Sequence, residues 1–209
     1  KFDYLDTEVR VLRASFTGEL GYEIYVSPKY GLELWKQIFL YGKNLGLIPY
    51  GTETMHLLRA EKGYVVIGQD TDGTVTPMDL NLNWMVGKNK RDFIGKRSLT
   101  RSDTSKKNRK QLVGVLTLEK NQSIEEGEHI LEIKELPKNI NDPIKYLGHI
   151  TSSYHSPNLE HYISMAMLEN GNELIGKEMY VTTSSSTKNI PIKIVKPIFI
   201  DPENKRLFS

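Results

Sequence analysis

A chain of 209 residues, 38% hydrophobic and 26% charged, holds enough apolar material for one large domain or two small ones. Its net charge of +2, from 28 basic and 26 acidic residues, implies no nucleic-acid-scale positive field. The absence of cysteine excludes disulfides, thiolate metal sites and cysteine nucleophiles.

Neither a signal peptide nor an apolar run of membrane-spanning length is visible in the sequence. The expected location is cytoplasmic or an organelle matrix, with neither membrane nor nucleic acid as partner. The chain opens on Lys1 rather than Met, already approaching a strand, so a piece of something longer is expected.

In chain order, EVRVLRASF (8–16) alternates and predicts a strand. Thr17 to Gly21 supply a turn, and YEIYV (22–26) predicts the second arm of a hairpin with a four- or five-residue connection. Ser27 and Pro28 are an N-cap and first-turn signal, and Leu32, Trp35, Ile38 and Phe39 recur at helical spacing to about Gly42. A second helix is predicted through TETMHLLRAEK from Thr52 or Thr54, with Gly63 as its left-handed C-terminal residue. YVVIG (64–68) reads as extended, and QDTDGTVTP as a turn-rich loop. TRSDTSKKNRK (100–110) is polar and basic and reads as a linker. Beyond it, QLVGVLTL, HILEI, LGHITSS, YISMAML, EMYVTT and IPIKIVK predict strands of a small antiparallel barrel or sandwich.

Glu23 is the residue with the most to explain, because a carboxylate is disfavoured in the middle of a strand. It is either a solvated strand position or a buried acceptor for a flat group carrying two parallel N–H donors. Arg59 and Glu61 read as a surface ion pair, and His56 as structural or exposed. Tyr64 follows the helix as a core residue or a lid over a ligand. Asp70 and Asp72 sit in a loop where solvation is expected to keep their pKa values ordinary. That loop lacks the glycine and terminal glutamate of a calcium loop. No pair of histidines is spaced for zinc on the second helix, and no dinucleotide or P-loop glycine pattern occurs.

Five blocks carry a resemblance: FTGELGYEIYV, YGTETMHLLRAEKGYVVIGQDTDGTVTPMDLNLNWMVGK, DFIGKRSL, RKQLVGVL and GHITSSYHSPNLEHYISMAML. In order and spacing they resemble the aminomethyltransferase family, the folate-binding T-protein of the glycine cleavage system and its relatives. Within it, the helix and loop blocks look most like the C-terminal part of the heterotetrameric sarcosine oxidase alpha subunit. Met55-His56 stand where the T-protein helix has an Arg-Asp pair, a departure that favours that branch and puts the T-protein's arginine contact to folate in doubt.

The resemblance implies an α+β fold. Residues 1–98 would be the second half of a folate-binding domain, and residues 108–209 a small antiparallel β-barrel. It implies tetrahydrofolate as cofactor, with FAD, FMN and NAD held elsewhere in the parent complex. The partners it implies are the rest of an alpha subunit and the other subunits. The activity would be transfer of a one-carbon unit from an oxidised N-methyl amine, giving 5,10-methylenetetrahydrofolate. It places Glu23 on the pterin ring, with Tyr64, Tyr30, Thr54 and Arg59 as further folate-binding candidates. The family's catalytic aspartate matches no position here, so no catalytic residue is assigned and the chain alone is expected to be inactive. Two rivals stand beside this reading. One is another enzyme of the same fold: a T-protein, a dimethylglycine or sarcosine dehydrogenase, or a demethylase. The other is a non-catalytic folate-binding or subunit-docking module.

Overall fold

Alternation of apolar and polar residues decides most of the secondary structure in the computed structural model, which describes residues 2–4, 7–139 and 141–208. The described chain separates into two compact units. One comprises the residues up to Arg59 with the stretch from Glu203; the other is residues 60–202.

The first unit holds a three-stranded antiparallel sheet, β1 (Phe2–Tyr4), β2 (Thr7–Arg13) and β3 (Tyr22–Tyr25), in that order. Leu12 stands opposite Glu23 and Arg13 opposite Tyr22. Both arms of the predicted hairpin therefore form, but β2 stops at Arg13 and the connection runs from Ala14 to Gly21. Gly18 at φ +81° and its N–H bond to Ser15 Oγ turn the chain early. α1 (Gly31–Gly42) follows a 3-10 turn at Pro28–Tyr30. Proline starts that turn as expected, while Ser27 makes no side-chain cap. α2 (Thr52–Glu61) ends with Gly63 at φ +72°, the left-handed residue predicted there. The segment 64–68 forms no strand; only an isolated bridge joins Ile67 to Thr71.

The second unit is built on a closed antiparallel barrel. Its strands are β4 (Lys110–Thr117), β5 (His129–Leu131), β6 (Gly148–Ser156), β7 (His161–Glu169), β8 (Glu178–Thr183) and β9 (Ser186–Val195). They close in the order β4-β7-β6-β5-β8-β9. Each of the six predicted strand runs becomes one of them. Val113, Val115, Ile130, Ile150, Leu168 and Ile194 are among the residues filling the interior. Closure pairs every strand on both edges, so no open ladder remains to be protected.

β4 and β7 bury their outer faces too. Leu112, Ile163, Met165 and Met167 pack with Ala60 and Leu80 in a second apolar cluster. Residues 60–82 are thereby fastened to the barrel. Leu112 N–H donates to Asp79 O at 2.7 Å, and the N–H groups of Phe199 and Ile200 both donate to Glu61 O. The contacts thus divide the chain inside α2, whereas the composition shift falls at 100–110.

Candidate functional site

Glu23 lies on β3, all four residues of which are exposed. Of the two alternatives, the solvated position is the one found: Tyr22 is 61% and Ile24 45% exposed. β3 is the last strand of its sheet among the described residues, so its side chains meet solvent. Alternation puts Glu23 and Tyr25 on one face. The Tyr25 hydroxyl donates to Glu23 Oε2. This bond, and then the carboxylate's charge, hold the Tyr25 phenol above its usual range. The other oxygen, Oε1, has no hydrogen-bond donor among the described residues. Glu23 is thus an acceptor held by Tyr25 on one side and open on the other.

Tyr30 sits in the 3-10 turn, with Lys29 Nζ 4.6 Å from its ring centre. Thr54 is exposed in the first turn of α2. Among the described residues, no hydrogen bond joins Glu23, Tyr30 and Thr54 to one another. Arg59 is fully buried in the last turn of α2, and Tyr64 is half-buried in the second unit. Arg59 and Glu61 therefore do not form the surface pair expected of them; both are inside. Glu61 accepts from Ser156 Oγ at 2.5 Å and from Asn158 Nδ2 at 3.1 and 2.9 Å.

The loop after Gly68 corrects a second expectation. Asp70 is 1% exposed, not solvated. It accepts from Val66 N–H at 2.8 Å and from the Thr151 and Ser152 hydroxyls at 2.6 Å each. Those two hydroxyls lie on β6 beside a register shift between Ile150 and Ser152, which turns consecutive side chains toward the loop. Asp79 is clamped similarly. Arg109 donates to it from Nε at 2.8 and 3.1 Å and from Nη2 at 2.6 Å, and Thr76 adds a backbone and a hydroxyl donor. Burial pushes the Asp79 carboxyl up, but these donors outweigh it and hold it below the ordinary range. Two hydroxyls following an apolar strand residue, as in Ile150-Thr151-Ser152, are the signal that could have pointed to a buried acceptor.

Between this loop and the barrel lies a cavity of about 360 Å³, lined by Gly68 to Asp72, Thr74, Val75, Arg109, Lys110, His149 and Met167. Bonds from the Thr74 hydroxyl and N–H hold the Asp72 carboxyl below its usual range. Burial, then Lys110 and His129, push the His149 imidazole down, against a weaker pull from Asp72. At neutral pH the cavity therefore presents the Asp72 carboxylate and a neutral His149 imidazole, with Lys110 in its lining. His56 is half-buried on α2 and does not line it. Among the described residues no group of His, Asp and Glu could hold a metal ion. No helix there is long and apolar enough to cross a membrane.

Comparison with known proteins gives two adjoining matches. Residues 1–90 match the GCVT N-terminal domain, and residues 110–201 match the glycine cleavage T-protein C-terminal barrel domain. The chain is 40% identical over 199 residues to the sarcosine oxidase subunit alpha of Corynebacterium sp. strain P-1, covering 95% of this chain and 20% of that protein. It is 33% identical over 196 residues to an aminomethyltransferase of Halothermothrix orenii, covering 92% of this chain and 50% of that one. The crystal structure of glycine cleavage system aminomethyltransferase T from Bartonella henselae shares the fold, with a TM-score of 0.78 at 22% identity. That likeness covers 93% of this chain and 50% of the other. The chain thus spans about a fifth of the oxidase subunit and half of each aminomethyltransferase.

Proposed function

The chain belongs to the glycine cleavage T-protein (aminomethyltransferase) family, and from that premise we propose that it is the folate-binding, one-carbon-transfer part of a sarcosine-oxidase-type alpha chain. The observation that carries the reading is Glu23: a strand carboxyl with one oxygen held by Tyr25 and the other open.

The donor set fits a reduced pterin. Its edge presents an exocyclic amine beside a ring N–H, and a carboxylate offers two acceptors at matching spacing. The exposed ring of Tyr25 shares that carboxylate's face of the strand and adds aromatic surface beside it. Tetrahydrofolate, when bound, supplies the nitrogen nucleophiles that accept the one-carbon unit. Glu23 would orient it, and Tyr25 would hold Glu23 in place. Tyr30, Thr54, Arg59 and Tyr64 remain proposed contacts of the same ligand. Positioning of this kind is worth several orders of magnitude in rate when the geometry is completed.

We further propose the division into a folate half-domain at 1–98 and a barrel domain at 108–209. The amine-oxidising flavin and NAD sites are assigned to other parts of the parent complex, and 5,10-methylenetetrahydrofolate is the proposed product. A subunit-docking role is the second reading. Trp35, Tyr41, Leu45, Ile48 and Tyr50 of the first unit are all exposed, and apolar surface of this extent marks a contact face.

Folate binding separates the two, and turnover tests whether this chain acts by itself. The purified chain is given tetrahydrofolate and formaldehyde, and formation of the methylene product is compared with the uncatalysed reaction. We expect binding without acceleration from this chain by itself. The two loop carboxylates are poorly placed as proton shuttles: Asp70 accepts from Val66, Thr151 and Ser152, and Asp72 is held below its usual range. A saturable acceleration lost in Asp72→Asn would overturn that expectation.

A further inference from the structure

The cavity beside the loop after Gly68 lies wholly within the second unit, and none of the proposed folate contacts lines it. The outer face of the barrel supplies its floor. Lys110 comes from β4 and His149 from β6, with Met167 of β7 opposite His149 in the ladder. The loop supplies the wall, where Asp72 and Val75 line the same space.

The protein's own bonds fix that wall. Asp70 anchors the loop to β6 through the Thr151 and Ser152 hydroxyls, and Arg109 Nη2 donates to Thr74 O at 2.6 Å. Thr74 donates to Asp72 Oδ1 from its N–H at 2.7 Å and its hydroxyl at 2.6 Å. Asp72 Oδ2 has no hydrogen-bond donor among the described residues. Lys110 Nζ and the His149 ring likewise make no hydrogen bond or ion pair among them. Lys110 and Asp72 thus share one cavity without touching, and His149 senses both. Lys110 pushes its imidazole down, and Asp72 pulls it up more weakly.

We propose that this cavity binds a free α-amino acid with a short apolar side chain, its carboxylate on Lys110 and the His149 ring N–H and its ammonium on Asp72 Oδ2. Charge and size select this ligand. A simple anion would meet the Asp72 carboxylate, and a simple cation would meet Lys110 and Arg109. No group of His, Asp and Glu among the described residues could hold a metal ion. A zwitterion satisfies both signs at once, through charge-assisted bonds of about 2.7–2.9 Å, and bridges the gap that the two side chains leave. At about 360 Å³ the cavity is at the small end of ligand sites, which run roughly 300–1,000 Å³. It holds more than a glycine, and Val75 and Met167 offer apolar contact to a few further carbons.

The test titrates the whole chain with L-leucine and follows the His149 ring by NMR. Saturable shifts are expected, and the imidazole should titrate higher in the complex. The bound carboxylate accepts from the ring and offsets the repulsion from Lys110; the other charged groups near the ring are Asp72 on the loop and His129 on β5. Isovalerate lacks the ammonium and isopentylamine lacks the carboxylate, so each should bind at least about tenfold more weakly. Lys110→Gln and Asp72→Asn should each weaken leucine binding by about tenfold. The exposed Lys110 side chain makes no hydrogen bond among the described residues, so that variant keeps the fold, and circular dichroism checks both. Glu23→Gln lies outside the cavity and should bind leucine as the wild type does, so this site stands or falls apart from the folate reading. The absence of a saturable shift at His149 in millimolar leucine overturns the proposal. So does isovalerate bound as tightly as leucine, or unchanged leucine affinity in either cavity variant.

Discussion

Replacing Arg109 by Ala is expected to destabilise the barrel unit by about 2–4 kcal/mol. Five donor contacts are lost, three of them to Asp79, whose side chain is 4% exposed, one to Thr74 O at 2.6 Å and one to Asp103 O at 2.9 Å. Removing one member of a buried pair typically costs about 3–5 kcal/mol, because the other charge stays behind unpaired. Two features lower the figure here. The Arg109 side chain is 19% exposed, and Asp79 keeps its two donors from Thr76. The sign with pH follows from the depressed Asp79 carboxyl. Its contribution is fully present above the unfolded carboxylate value of 3.8 and is lost as pH falls through the lower folded value. The gap between wild type and variant should therefore be widest near neutrality and narrow in acid. Urea unfolding followed by circular dichroism at pH 7 and in the acid range measures both. A difference below about 0.5 kcal/mol at pH 7, or one that widens in acid, would refute the reasoning.

Trypsin should nick the basic run 100–110 first at Lys106 or Lys107, which are exposed, and spare the bond after Arg109 until that residue's clamp is broken. Gly114→Ala places a Cβ 2.6 Å from Lys196 O and 2.9 Å from the Phe199 ring, so overpacking of about 1–3 kcal/mol should appear as a lowered thermal midpoint. The Tyr25 phenol should titrate above 10.0 in the wild type and fall back in Glu23→Gln, read by ultraviolet difference absorbance. The His149 imidazole should titrate below 6.5 by NMR and rise in Lys110→Gln, where a repelling charge is gone.

How much of this could be read beforehand depends on the range of each interaction. The barrel strands were legible because alternation is local and closure needs no further information. Gly63 was legible because a helix end and a glycine adjoin. Asp70 was not: its hydroxyl partners lie 81 and 82 residues away, and nothing near QDTDG announces them. Asp79 and Arg109 are 30 residues apart, so a run that looked like a free linker ends in a clamp. Composition shifts at 100–110, but contacts divide the chain at Arg59 and Ala60, because residues 60–82 help cover the outer faces of β4 and β7. Glu23 shows another limit, because the sequence left a solvated and a buried position both open. Alternation gave its strand and its face, but solvent exposure depends on what lies beyond the sheet, which no local pattern encodes.

The central claim is that Glu23 binds the pterin. Titrating this chain with tetrahydrofolate monoglutamate by calorimetry, beside Glu23→Gln, tests it directly. Gln keeps the shape but exchanges an acceptor for a donor and removes the charge. Loss of a charge-assisted pair of bonds is worth roughly 2–3 kcal/mol, about 30- to 150-fold in affinity. The account predicts weak, saturable binding by the wild type that falls by that factor in the variant. Equal affinity of the two proteins for tetrahydrofolate would contradict it.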